Sequence, residues 1–224
     1  MIFSPVAFLF FLFFLLLLVF LFVFIHVGLI TIAAGKLGLS ADQILIFLLG
    51  SLIGSHINIP IKKILRDEEL YPEQVVVSFF GMRYVVPRLR QPRYTVIAVN
   101  VGGCLIPIFL SLYLMLKNGI FLSPFLATFL VAAVCYKLAR PVPGVGIAIP
   151  MFIPPLLAAL VALIIAPDKA PVVAYISGTM GTLIGADILH LRDINRLKAP
   201  VASIGGAGTF DGIFLTGIIA VILA

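Results

Sequence analysis

The run from Pro5 to Ile30, PVAFLFFLFFLLLLVFLFVFIHVGLI, carries 26 residues without one charge, and its reading decides the solvent in which this chain folds. A helix needs about 20 apolar residues to cross the hydrocarbon core of a bilayer. The run is too long for the apolar region of a secretory signal, roughly 7 to 15 residues, and it lacks a basic stretch before it and a small-x-small cleavage motif near its end. The expectation is a retained first span over 5–33. Outward from it, apolar runs at 42–61, 94–116, 121–139, 150–166, 171–190 and 205–224 suggest about seven spans. Composition agrees: 62% of the 224 residues are hydrophobic and 11% charged, with a mean hydropathy of +1.26, which leaves no room for a large soluble domain.

Lipid-facing backbone must satisfy its hydrogen bonds internally, and no alternation of about ten residues recurs to support a barrel. The expected fold is therefore all-α, a polytopic transmembrane helical bundle forming a single domain over 1–224. A net charge of +6 and a pI near 9.6 would suggest nucleic acid for a soluble protein. In a membrane protein the same lysines and arginines orient spans against anionic lipid, so the bilayer is the expected partner and nucleic acid is not.

The basic residues test this layout, because cytoplasmic loops should hold the excess. With a cytoplasmic N-terminus and seven spans, one side carries Lys62, Lys63, Arg66, Arg83, Arg88, Arg90, Arg93, Lys137, Arg140, Arg192, Arg196 and Lys198. The other carries only Lys36, Lys117 and Lys169. An even number of spans would scramble this asymmetry. The one sizeable loop, 62–93, alternates through Gln74 to Phe80 and Met82 to Pro87 around Gly81, which reads as a short β-hairpin at the cytoplasmic surface. It would serve as a cap over the bundle, or as an exposed edge that accepts an extended peptide.

Charged groups inside spans are costly unless paired or hydrated, so each is a functional hypothesis. Asp187 lies in Gly185-Ala186-Asp187-Ile188-Leu189-His190 and Asp211 in Gly206-Ala207-Gly208-Thr209-Phe210-Asp211. Their spans are consecutive and joined by a short loop, which predicts an antiparallel pair with both acids at comparable depth near the cytoplasmic side. Two close carboxylates share a proton and hold a water between an acid and a base, the apparatus of an aspartic protease. Each acid alone could instead cap a helix end or bind glycine backbone. Gly206 and Gly208 would let helices approach closely and let backbone unwind beside the site. The segment from Arg140 to Pro150 has three prolines and two glycines and cannot form a regular helix. Its Pro141, Pro143, Gly144 and Gly146 either line a cavity as a substrate-binding segment or make a tight connection.

Asn100, before Val101-Gly102-Gly103, fits helix glue better than a catalyst. His190 stands three residues after Asp187, where it either supports the acid or faces headgroups. His26 and His56 form no pair with it at metal-ligand spacing and no His-Glu-x-x-His occurs, so neither a metal site nor a cofactor is expected. Cys104 and Cys135 read as small packing residues, and no Gly-x-Ser-x-Gly is present.

The stretch Gly206-Ala207-Gly208-Thr209-Phe210-Asp211, paired with Asp187 one helix earlier, resembles the GxGD intramembrane aspartyl proteases: presenilin, signal peptide peptidase and prepilin peptidase. It departs from their pattern in two ways: Asp211 comes two residues later, and Asp187 follows Ala186 rather than tyrosine. The segment 141–150 is faintly similar to the presenilin Pro-Ala-Leu element, though it precedes the aspartates. Along its whole length the chain also looks like an uncharacterised prokaryotic family of multi-pass membrane proteins. The first resemblance implies cleavage of membrane protein or peptide substrates by Asp187 and Asp211. A rival reading is a proton-coupled transporter that uses the same acids as a relay, and a third is a scaffold without chemistry.

Overall fold

The computed structural model describes residues 5–65, 74–79, 82–87, 94–142, 146–197, 199–206 and 212–224. The chain is mostly helical, with a small amount of sheet gathered at one end of the helices. In order, α1 (Pro5–Lys36) and α2 (Ala41–Gly54) lead into β1 (Asn58–Leu65), β2 (Gln74–Phe79), β3 (Met82–Pro87) and β4 (Tyr94–Asn100). A π-helical turn, Val101–Leu105, opens α3 (Ile106–Asn118), followed by α4 (Leu122–Leu138), β5 (Arg140–Val142) and β6 (Gly146–Ala148). The chain ends with α5 (Ile153–Ile165), α6 (Ala170–Thr182), a second π-helical turn Leu183–Ile188, β7 (Val201–Ile204) and α7 (Gly212–Leu223).

Local chemistry sets several of these boundaries. Ser40 and Gln43 form a reciprocal capping box at the start of α2, with the Ser40 hydroxyl accepting from the Gln43 N–H at 3.3 Å and the Gln43 side chain accepting from the Ser40 N–H at 3.1 Å. α3 stops where Gly119 turns left-handed at φ 63. Proline stands in the first turn of α3, α5 and α6, where its missing N–H costs nothing.

Contacts at the helix ends show that consecutive helices run in opposite directions. At one end the Lys36 ammonium at the close of α1 donates to the Ile222 carbonyl at the close of α7, 2.9 Å away. There too Gln43, in the first turn of α2, reaches the Tyr113 hydroxyl late in α3 at 2.9 Å, and Lys169 donates to Asn118 at 3.3 Å. At the other end Ser51, late in α2, donates to the Gly102 carbonyl at 2.8 Å. All three lysines that the charge count set apart, Lys36, Lys117 and Lys169, thus sit at the end away from the sheet.

α6 is the central helix, in contact with α1, α3, α4, α5 and α7, and almost every residue from Val172 to Ala186 is buried. Lipid tails are as apolar as leucine, so helices in a bilayer associate through close packing of small residues. α6 supplies them: a Cβ on Gly181 would stand 2.7 Å from Val131 of α4, and one on Gly178 would stand 3.3 Å from Ala158 of α5. Around this core the outward faces are oily. Phe125 and Phe129 of α4, Ile164 of α5 and Phe109 and Leu116 of α3 are each about two-thirds exposed or more, and large exposed apolar surface of this kind marks a membrane or protein interaction face.

The apolar runs are interrupted more than their composition predicts. Among the described residues one helix, Val101–Asn118, meets the length and hydropathy of a membrane crossing, and Leu45–Gly54, Leu122–Leu138 and Ile153–Ile165 are shorter apolar helices; α1 itself runs unbroken from Pro5 to Lys36. Residues 58–61 and 94–100, expected to close one span and open the next, are strands. β4 pairs antiparallel with β1 (Asn58↔Asn100 to Leu65↔Tyr94) and parallel with β7 (Val96↔Val201 to Val99↔Ile204). Thr95, Val96, Ile97 and Val99 are β-branched and suit a strand, and Pro60 sits where the register shifts. The all-helical expectation is corrected to this extent: β1, β4 and β7 form a three-stranded sheet in addition to the hairpin. That hairpin, β2 with β3, pairs from Gln74↔Pro87 to Phe79↔Met82.

Candidate functional site

Four chain segments meet where the helices break into strands. The first is the close of α2, Ser51 to Ser55. The second is the π-helical turn that opens α3, the third the π-helical turn that ends α6, and the fourth the Gly205-Gly206 turn between β7 and the residues before α7. π-helical turns inside α-helices gather at functional positions, and two of them face this junction.

Backbone contact holds it together. A Cβ on Gly103 would stand 1.8 Å from the Gly205 carbonyl oxygen, and one on Gly102 would stand 2.1 Å from the Ser51 carbonyl oxygen. No side chain fits at either position. Gly205 and Gly206 have φ of 85 and 91, the left-handed region that glycine enters without strain. The turn they make presents the Gly205 N–H to Asp187, whose Oδ2 accepts it at 2.7 Å. Asp187 is half-buried in the α6 turn, so this bond ties the end of α6 to the chain that leads into α7.

Asn100 organises the opposite wall. Only 1% exposed, its Oδ1 accepts the Gly103 N–H at 2.7 Å, capping the turn that opens α3. Its amide donates to the Ser55 carbonyl at 2.7 Å and to Asn58 Oδ1 at 3.1 Å. Asn58 Oδ1 also accepts the Ser203 hydroxyl from β7. One buried amide thereby connects α2, β1, β4 and α3, and through Asn58 it reaches β7. Its role is the helix glue expected of it. Asn58, Ser55 and Ser203 have no sequence signature, because a lone serine or asparagine joins such a network only through tertiary register.

The other expected residues fall in different places. His190 is buried at 6% exposure; its Nδ1 lies 3.0 Å from the Gly185 carbonyl and its ring packs tilted on Tyr136 at 4.9 Å. It faces protein rather than headgroups. Pro141 and Gly146 are half-buried and lie on the β5–β6 hairpin, which pairs from Arg140↔Ala148 to Val142↔Gly146. β6 touches the α6 π-helical turn, which puts this segment beside the Asp187 stretch. Asp211, Gly208, Pro143 and Gly144 lie outside the described residues. Among the described residues no three His, Cys, Asp or Glu side chains gather as metal ligands.

A family model described as Protein of unknown function (DUF1614) matches residues 52–223, most of the chain, and the chain belongs to that family. The matched stretch contains every junction residue from Ser55 to Gly206 and leaves α1 outside. Neither a curated protein nor a solved structure matches the chain.

Proposed function

We propose that this chain is a multi-pass protein of the cell membrane with about seven crossings and a cytoplasmic N-terminus, and that it acts as an intramembrane aspartyl protease through Asp187 and Asp211. Three observations support the membrane layout: the alternating direction of consecutive helices, the oily outer faces of α3, α4 and α5, and the basic residues. Lys62, Lys63, Lys137, Arg140 and Arg192 lie at the sheet end, and Lys36, Lys117 and Lys169 at the other.

The observation that carries the catalytic reading is the bond from the Gly205 N–H to Asp187. It brings the acid of α6 against the glycine-rich segment that reaches Asp211 six residues later. In this reading one aspartate, ionised, takes a proton from water as the water attacks the scissile carbonyl. The other, protonated, donates to the carbonyl oxygen and then to the leaving nitrogen. β6, beside the π-helical turn, offers backbone to an extended substrate.

The test is cleavage of a transmembrane substrate library by the full chain in proteoliposomes, with Asp187→Asn and Asp211→Asn prepared singly. Either change should abolish cleavage by the wild-type protein's measure, since neither carboxylate alone supplies both roles. Cleavage that survives one of them removes that residue from catalysis. The second reading, a proton-coupled transporter, is favoured by the breaks at the ends of α2, α3 and α6, since discontinuous helices line transport sites. It predicts substrate-dependent proton uptake into the same proteoliposomes, lost in Asp187→Asn, with no peptide product.

A further inference from the structure

α3 and α4 are joined by a tight turn at Gly119, yet between them a cleft of about 530 Å³ opens along the side of the bundle. Its walls are almost wholly apolar. α4 contributes Phe129, Ala133 and Tyr136, and α6 forms the floor with Met180 and Ile184, ending at Leu189 beyond the π-helical turn. Lining residues run along α4 from Pro124 to Tyr136, which is about 18 Å at the helical rise of 1.5 Å per residue. One leaflet of hydrocarbon is about 15 Å deep, half of a 30 Å core, so the cleft is as deep as one extended acyl chain.

The sheet end of this cleft has a different character. Tyr136 lines it with an amphipathic ring of the kind that sits at headgroup level. Lys137 follows in the last turn of α4 and Arg140 two residues after that helix, while Arg192 stands three residues beyond Leu189; all three are exposed. Among the described residues, the acids of the neighbourhood are Asp193, half-buried, and Asp187, which accepts from Gly205. The described side chains at the mouth are therefore net positive above an apolar slot.

We infer that the cleft between α3, α4 and α6 is a binding site for an anionic phospholipid, with an acyl chain in the slot and the phosphate between Lys137 and Arg192. The inference rests on the membrane layout proposed above and is independent of protease activity. Met115 and Met180, flexible thioethers on the lining, let the slot fit chains of different shape.

Native mass spectrometry of the full chain, released from mixed micelles of phosphatidylglycerol and phosphatidylcholine with identical chains, tests it. The wild type should retain one phosphatidylglycerol in preference to phosphatidylcholine. Lys137→Gln with Arg192→Gln should lower the relative affinity for the anionic lipid roughly 30-fold, the loss of two cations near a headgroup, and leave phosphatidylcholine unaffected. Ala133→Trp, which fills the slot from an exposed rim position, should displace both lipids; Ala133→Leu should do so partly and guards against a folding defect. Equal retention of the two lipids by the wild type, unchanged retention in Ala133→Trp, or a dimer lost in that variant would overturn the assignment. Release of the wild type from membranes by alkaline carbonate would instead overturn the membrane layout itself.

Discussion

Gly103→Ala is the sharpest test of the junction. The new Cβ would lie 1.8 Å from the Gly205 carbonyl oxygen, where ordinary contact begins at 3.4 Å. The obstructing atom is backbone, so no rotamer change relieves the clash. Either the turn that opens α3 or the Gly205 turn must move by more than an ångström. Forced overpacking costs about 1–3 kcal/mol. Movement of either segment also breaks a bond: the Asn100 cap on the Gly103 N–H, or the Gly205 N–H to Asp187. A hydrogen bond to a charged group contributes about 1.5–3 kcal/mol. The sum is about 2.5–6 kcal/mol, which at 2–4 °C per kcal/mol lowers the melting temperature by roughly 5–24 °C. The assay is thermal aggregation of the detergent-solubilised protein followed by size exclusion, with Gly35→Ala as control. Nothing lies within 4 Å of a Cβ at Gly35, and alanine in a helix is favoured over glycine by about 0.5–1 kcal/mol, so the control should match or exceed wild type. Equal melting of Gly103→Ala and the control would refute the close approach of the α3 and Gly205 turns.

Asn100→Ala should destabilise the protein by about 2–4 kcal/mol, because it strands the buried Ser55 carbonyl and the Gly103 N–H together; a loss under about 0.5 kcal/mol in the same melt would contradict the network. Gly217→Ala places a Cβ 2.6 Å from Thr179 Cγ2 and should lower stability; Thr179→Ser removes that methyl, keeps the hydroxyl bond to the Tyr175 carbonyl, and should recover part of the loss in the double variant. Asp187→Asn keeps an oxygen for the Gly205 N–H, so it should melt within a few degrees of wild type, whereas Asp187→Ala should melt lower. For topology, Lys169→Cys should react with an impermeant maleimide on intact spheroplasts and Lys63→Cys only after permeabilisation; reaction of both from one side would refute the layout.

Much of the helical framework is legible in the sequence because uninterrupted apolar composition is a local property. The hairpin is legible for the same reason, since Val75 to Phe79 and Met82 to Val86 alternate around a glycine. The β1, β4 and β7 ladder is not. Ile57 to Ile61 and Tyr94 to Val99 are apolar enough to pass as helix, and only pairing between segments about 30 to 40 residues apart in sequence, then over 100 apart for β7, turns them into strands. Tertiary pairing overrides length and hydropathy there. At the site, Asp187 was legible because a charge in an apolar run is rare. Its partner was not: a backbone N–H has no residue signature, and Gly205 is one of 19 glycines.

The bond between Asp187 and Gly205 has two consequences that differ in kind. As structure, it fastens the end of α6 to the turn before α7, where four segments meet backbone to backbone. As chemistry, it fixes the carboxylate beside the glycine segment that precedes Asp211. Stability alone separates the two poorly, because alanine at 187 removes both. Asparagine keeps the acceptor and removes the proton chemistry. If Asp187→Asn folds like wild type and still cleaves or transports, the residue is a fastener and the functional centre must be sought elsewhere on the bundle. If it folds and is inactive, the backbone contact is the means by which the fold holds a reactive carboxylate in position, and the glycines at 103 and 205 are required because any side chain there would push it away.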